Sequence, residues 1–189
     1  MIYDLIRKNR SYRRFQEARE ISRNTLAELI DLARLSPSAA NLQELRFRLV
    51  YSKEEKELVF PCLKWANYLT EWDGPVYGQR PGGYILVLAP KNNTRFHYID
   101  AGIACQSMLL GATAQGLGGC MIASMNRERL EQDLLLPAEM DILLAIALGV
   151  PDEEVLIDDI SKTESIKYYR DEKDRHRVPK LKRDELIIR

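Results

Sequence analysis

Apolar positions recur with two periods along the 189-residue chain, and the changes of period mark out its elements. Ile2, Leu5 and Ile6 stand at helical spacing and predict a short first helix running into a basic cluster over 7–14. A second helix is better signalled. Ser22 can cap it, Ile21 and Leu26 can close a staple over the cap, and Leu26, Leu29, Ile30 and Ala33 form one apolar stripe that Pro37 ends. Over 46–51 the period drops to two, with Phe47, Leu49 and Tyr51 on one side and Arg46, Arg48 and Val50 on the other, which predicts a strand. Residues 54–58 and 63–69 read as helices separated by Pro61. The apolar run 84–89, bounded by Gly82-Gly83 and Pro90, is a candidate central strand. A long helix is expected over 96–115, a strand over 119–123, a helix over 127–135, and a strand over 142–148 that ends at Gly149-Val150-Pro151.

Helices and strands are mixed, so the expected class is α+β in one domain over 1–189, with no repeat or linker dividing it. Beyond Pro151 the period dissolves into charged residues, and 152–189 reads as an extended arm tipped by Leu186, Ile187 and Ile188. An apolar tip with nothing local to bury it suggests a strand added to a neighbouring subunit. Residues 101–126 carry no charged side chain, but Gln106, Gln115 and several glycines interrupt them. A buried helix followed by a buried strand accounts for this better than a membrane span, which needs about 20 predominantly apolar residues.

Composition narrows the classes of function. Lys+Arg and Asp+Glu both number 28, and this balance gives no long-range field to attract nucleic acid or an anionic membrane. The first residues lack the basic-then-apolar pattern of a signal peptide. Cys62, Cys105 and Cys120 are widely spaced and odd in number, which fits a reducing cytoplasm better than a disulfide framework. The two histidines, His97 and His176, lie far from each other and from any close cysteine pair, so no metal site is expected.

No nucleophile–base arrangement or phosphate-cradling loop stands out, which points to chemistry carried by a bound cofactor. Three segments are candidates for holding it. Arg10-Ser11-Tyr12-Arg13-Arg14-Phe15 sets arginines around a hydroxyl just past a helix, able to grip a phosphate or simply to form a solvated basic loop. Ser36-Pro37-Ser38-Ala39-Ala40-Asn41-Leu42-Gln43 offers small residues and two amides to a flat ligand, or is an ordinary turn after a helix. Gly116-Leu117-Gly118-Gly119 feeds the apolar run Cys120-Met121-Ile122-Ala123-Ser124, either beside a heterocycle or as a buried strand entered by a tight turn. These glycines precede a strand, so they are not a dinucleotide fingerprint.

Taken in order, these segments resemble the nitroreductase family. Residues 9–15 match its Arg-(Arg/His)-Ser-x-(Arg/Lys)-x-Phe opening, and residues 36–43 its (Ala/Ser)-Pro-Ser-(Ala/Ser)-x-Asn-x-Gln element. The glycine turn at 116–124 and the Gly-x-Pro turn at 149–151 follow in the expected places. The resemblance implies a nitroreductase-like α+β fold: a central mixed sheet surrounded by helices, in an intertwined homodimer with FMN at the interface. It assigns Arg10, Ser11 and Arg13 to the phosphate and ribityl chain, with Arg13 near the ring. Pro37, Ser38, Ala39, Asn41 and Gln43 would come from the other subunit, and Met121, Ile122, Ala123 and Ser124 would line one ring face. Arg175 and Arg177, within Arg175-His176-Arg177-Val178-Pro179, look like the family's basic-x-basic-x-Pro element and would meet the phosphate.

The chain departs from the pattern at Asn9, where a basic residue is common. Gln43-Glu44-Leu45 stands in place of Gln-Pro-Trp, and Ala123-Ser124 in place of Glu-Gly. The activity implied is electron transfer from NADH or NADPH through FMN to a small acceptor such as a nitroaromatic or quinone, with no side chain required as acid or base. Dehalogenation or flavin breakdown on the same fold, a non-catalytic flavin carrier or sensor, and a structural dimer with an empty cleft remain the alternatives.

Overall fold

The computed structural model describes residues 2–92 and 94–188. Four strands form the main sheet: β1 (Arg46–Val50), β2 (Gly83–Pro90), β3 (Gly118–Ile122) and β4 (Met140–Gly149), in the order β1-β2-β4-β3. Every neighbouring pair is antiparallel. Mixed pairing, expected of the central sheet, occurs instead in a second sheet of β5 (Val155–Ile160), β6 (Tyr169–Arg170) and β7 (His176–Leu181), where β5 and β7 run parallel and β6 pairs antiparallel with β7.

The main sheet is covered on both faces. Ile85, Val87 and Ala89 of β2 join α2 (Arg23–Arg34) and α4 (Arg95–Ala114) in one apolar cluster. Tyr84, Leu86 and Leu88 alternate into a second cluster with Val59 of α3 (Lys53–Val59) and Leu130 of α5 (Arg127–Asp133). This double burial explains why β2 and β4 read as continuous apolar runs, whereas β1, at the edge, alternates with arginine. α1 (Ile2–Lys8) has no buried residue. Ser22 caps α2 by accepting the Thr25 amide at 3.0 Å, with Ile21 and Leu26 buried together beside the cap. No helix among the described residues is long and apolar enough to cross a membrane.

Two expectations are corrected. Residues 63–69 are not a helix: Lys64 N donates to the Ser124 carbonyl at 2.9 Å, Leu63 bridges Met125, and Ala66 has a φ of 34°. Their apolar spacing arises because Leu63 and Trp65 plug the second core cluster from a loop. The stretch 152–189 is not one extended arm either, since 155–181 contain the three strands of the second sheet. That sheet is only half buried, so ion pairs replace the apolar alternation that would have announced it. The loop 9–15 runs past the end of the main sheet: Ser11 bridges Gly119 of β3 and Phe15 bridges Pro151, just after β4.

Candidate functional site

A cleft of about 350 Å³ opens where these parts meet. Asn9, Arg10, Ser11 and Arg13 form one wall, and His176, Val178 and Lys180 of β7 with Tyr168 form another. Gln106 and Leu109 of α4 and Gly119 and Met121 of β3 make the floor. The glycines at 118 and 119 serve this assembly directly. A Cβ at Gly118 would run into the Tyr12 ring, and one at Gly119 into the Ala147 carbonyl oxygen. Tyr12 N donates to the Gly119 carbonyl at 3.1 Å, so the basic loop lies flat along the edge of β3.

Buried groups fix that loop. One oxygen of Glu153 accepts both the Arg13 and Arg14 amides, and the other accepts Arg170 at 2.6 Å. The Arg13 guanidinium donates to the Ser11 carbonyl at 3.2 Å, lies 3.1 Å from His176 Nε2, and stacks over the Tyr168 ring at 4.9 Å. Arg10 Nη2 donates to the Ile6 carbonyl at 2.6 Å, and burial lowers the pKa of its guanidinium from the ordinary value. Among the described residues, neither the Arg10 nor the Arg13 side chain has a carboxylate partner, and Arg10 Nε and His176 Nδ1 are buried without a hydrogen-bond partner. Burial, reinforced by the Arg13 charge, pushes the His176 imidazole down to about 4, so it is neutral at ordinary pH.

Arg175 and Arg177 are not on this cleft. Arg177 stands on the opposite face of β7 from His176, Val178 and Lys180, because side chains alternate along a strand, and Arg175 lies just before the strand. Arg177 Nε donates to Asp158 at 3.0 Å and Arg175 Nε to Asp171 at 2.8 Å. Lys180 is the β7 cation that lines the cleft. Alternation separates the β3 candidates in the same way: Met121 lines the cleft, while Ile122 packs in the core cluster with Cys120. Ala123 and Ser124 are exposed just beyond β3, their carbonyls taken by Arg127 at 2.9 Å and Lys64 at 2.9 Å.

The segment 36–43 lies elsewhere. Pro37, Ser38 and Gln43 line a separate groove of about 260 Å³ with Glu44, Phe47 and Asp100, and Ala39 and Asn41 sit in its short 3-10 turn. Three side chains clip this segment to α4. Ser36 Oγ donates to Ser107 at 2.7 Å, the Ala39 amide donates to the buried Asp100 carboxylate at 2.9 Å, and His97 Nε2 lies 2.9 Å from Glu44. Ala40, Asn41 and Gln43 have φ values of 48°, 55° and 53°. For a residue with a Cβ that region costs roughly 1–2 kcal/mol, so the clips hold a shape the chain would not otherwise adopt.

Sequence reasoning missed Tyr168, His176, Lys180, Gln106, Glu153 and Asp100. The alternation within Arg175-His176-Arg177 was the one signal present: read as a strand, it sends histidine and arginine to opposite faces.

The family model described as "Nitroreductase family" matches residues 6–150. A putative NAD(P)H nitroreductase, YodC, of Bacillus subtilis (strain 168) is 23% identical over 179 residues, 77% of this chain and 87% of the relative. An iodotyrosine dehalogenase 1 homolog of Caenorhabditis elegans is 25% identical over 192 residues, 86% of this chain but 58% of the relative. Among solved structures, an FMN-dependent nitroreductase from Clostridium difficile R20291 superposes with a TM-score of 0.65 at 24% identity, covering 82% of this chain and 89% of that one. With the family's pattern matched over most of its length, this chain belongs to the nitroreductase family.

Proposed function

We propose that this protein is an FMN-dependent oxidoreductase, acting as a cytoplasmic homodimer, that passes electrons from NADH or NADPH to a small acceptor such as a nitroaromatic or quinone in two alternating half-reactions. The observation that carries this reading is a pair of arginines, Arg10 and Arg13, that line a cleft with no carboxylate among the described residues paired to either side chain. A phosphate or an electron-rich ring suits such a site. The cleft fits FMN in its other features too. Arg10 Nε and His176 Nδ1 lack partners, Ser11 adds a hydroxyl, Lys180 a further cation, and Gly119 leaves the floor low. When bound, FMN supplies the hydride and electron transfer. The chain's own residues bind the phosphate, orient the ring and offer it apolar contact through Leu109 and Met121 in the floor. The names of the B. subtilis and C. difficile relatives agree with this reading.

Pro37, Ser38, Ala39, Asn41 and Gln43 complete the site from the second subunit. Within one chain they share no lining residue with the cleft, which is why two chains are needed. Among the described residues no strand pairs with the outer edge of β1, and Leu186, Ile187 and Ile188 are exposed at 65%, 60% and 98%. An apolar tip and an open edge are complementary across a dimer. Burying each such side chain contributes about 1.5–3 kcal/mol before ordering costs.

The decisive experiment is to purify the protein, record its visible spectrum and identify what acid releases. FMN, together with NAD(P)H consumption that rises on adding a nitroaromatic or quinone, is the expected result. A colourless protein that ignores added FMN overturns the reading, and FMN without NAD(P)H consumption reduces it to a flavin carrier. Turnover of a halogenated phenol in place of these acceptors would favour the chemistry named for the C. elegans relative. Removal of residues 184–189 is expected to dissociate the dimer and release FMN together, and a truncated protein that stays dimeric and yellow at low concentration removes the apolar tip from the assembly.

A further inference from the structure

We propose that His176 is a positioning residue that aims the Arg13 guanidinium at the cleft while leaving its positive charge uncompensated. The geometry carries this. A guanidinium has only donors, so the 3.1 Å contact between Arg13 Nη1 and His176 Nε2 requires the imidazole to accept there and to hold its proton on Nδ1. The other holders of the Arg13 side chain are also neutral: the Ser11 carbonyl at 3.2 Å and the Tyr168 ring at 4.9 Å. Tyr168 in turn packs on the His176 ring, with centroids 5.3 Å apart, so imidazole and phenol form one brace.

The neighbouring arginines are treated differently. Arg14 pairs with Asp174, Arg170 with Glu153, Arg175 with Asp171 and Arg177 with Asp158. The carboxylate nearest Arg13 in the hydrogen-bond network, Glu153, is already committed to two backbone amides and to Arg170. A carboxylate in place of His176 would orient Arg13 as well but would cancel the charge the cleft presents. A protonated imidazole would repel it. Arg13, Arg14, Arg170 and Glu153 are the charged groups acting on the ring, with Tyr168 against its face, and the 1% exposure of His176 keeps solvent from competing.

This inference rests on the cofactor reading for its binding test but not for its geometry, and two measurements separate them. In the flavin-free protein, imidazole 15N spectra are expected to show the Nδ1–H tautomer of His176 from pH 5 to 9. An Nε2–H tautomer, or an imidazolium at neutral pH, overturns the proposal whether or not flavin binds. In the second measurement, FMN affinity is read by fluorescence quenching and the midpoint potential by spectroelectrochemistry, for His176→Gln and His176→Glu. Gln keeps a neutral acceptor near the Nε2 position but loses the Nδ1–H, and is expected to hold FMN clearly more tightly than Glu does. Glu is expected to bind FMN at least about tenfold more weakly and to shift the potential negative, because it neutralises Arg13. If both variants melt alike and bind FMN alike, His176 is only a packing residue. A parent protein that binds no FMN defeats the cofactor reading instead, and the 15N spectrum then decides the inference alone.

Discussion

The two faces of β7 present the same kind of residue in opposite electrostatic states. On the outer face Arg177 is closed by Asp158, with Arg175, just before the strand, closed by Asp171, and the strand is paired to β5. On the inner face, His176 meets Arg13 without cancelling it, and Lys180 adds a further cation to the cleft. Arginine content alone therefore does not mark an anion site. What marks it is an arginine held by neutral partners, since a paired guanidinium has little charge left to offer.

The largest expected effect probes the inner face by pH. His176 sits near 4 in the folded protein against an ordinary value of 6.5, so as pH falls through 6.5 the unfolded chain takes up the proton first. Its contribution is complete above pH 6.5, declines as pH falls and is lost by about pH 4, a change on the order of 3 kcal/mol. Urea unfolding should show this slope in the parent and lose it in His176→Gln. An equal slope in both would place the titration elsewhere.

Arg13 and Arg177 form the next contrast. Arg13→Ala is expected to weaken FMN binding by about 1.5–3 kcal/mol, the range for hydrogen bonds to a charged group. Arg177→Ala is expected to leave FMN affinity within twofold. Fluorescence titration of the pair settles which face holds the cofactor, and a larger loss for Arg177 would restore the sequence-based assignment. A smaller effect concerns the outer ion pairs. Arg177→Ala and Asp158→Ala should each lower the melting temperature slightly, and raising the salt concentration should shrink the difference from the parent. A large, salt-independent loss would mean that the pair is structural in its own right.

The smallest effect is expected away from both faces. Burial pushes the Cys105 and Cys120 thiols up to about 12 and raises Cys62 as well, so all three should be silent to a thiol reagent until the protein unfolds. Turnover should survive Cys→Ala at all three positions in protein that stays folded. Labelling of the native state at the rate of a free thiol would contradict this.

Local signals made much of the molecule legible. Ser22, Ile21 and Leu26 announced the start of α2, and the continuous apolar runs announced β2 and β4, because capping and burial on two faces leave their mark within a few residues. The Arg10, Ser11 and Arg13 cluster was legible for the same reason. Residues 63–69 were misread because a loop whose side chains plug the core also spaces its apolar residues like a helix. The second sheet went unseen because its strands are stabilised by pairs such as Arg177–Asp158 and Arg170–Glu153, between residues 17 to 19 positions apart, and these carry no local period.

By itself, then, the chain determined its class, most of its elements and its family, since these depend on hydrophobic period, caps and ordered short motifs. Tertiary structure alone decided which cations are free. That depends on whether a carboxylate or an imidazole arrives from a distant strand, as His176 reaches Arg13 across 163 positions of sequence, and no spacing along the chain encodes such a meeting.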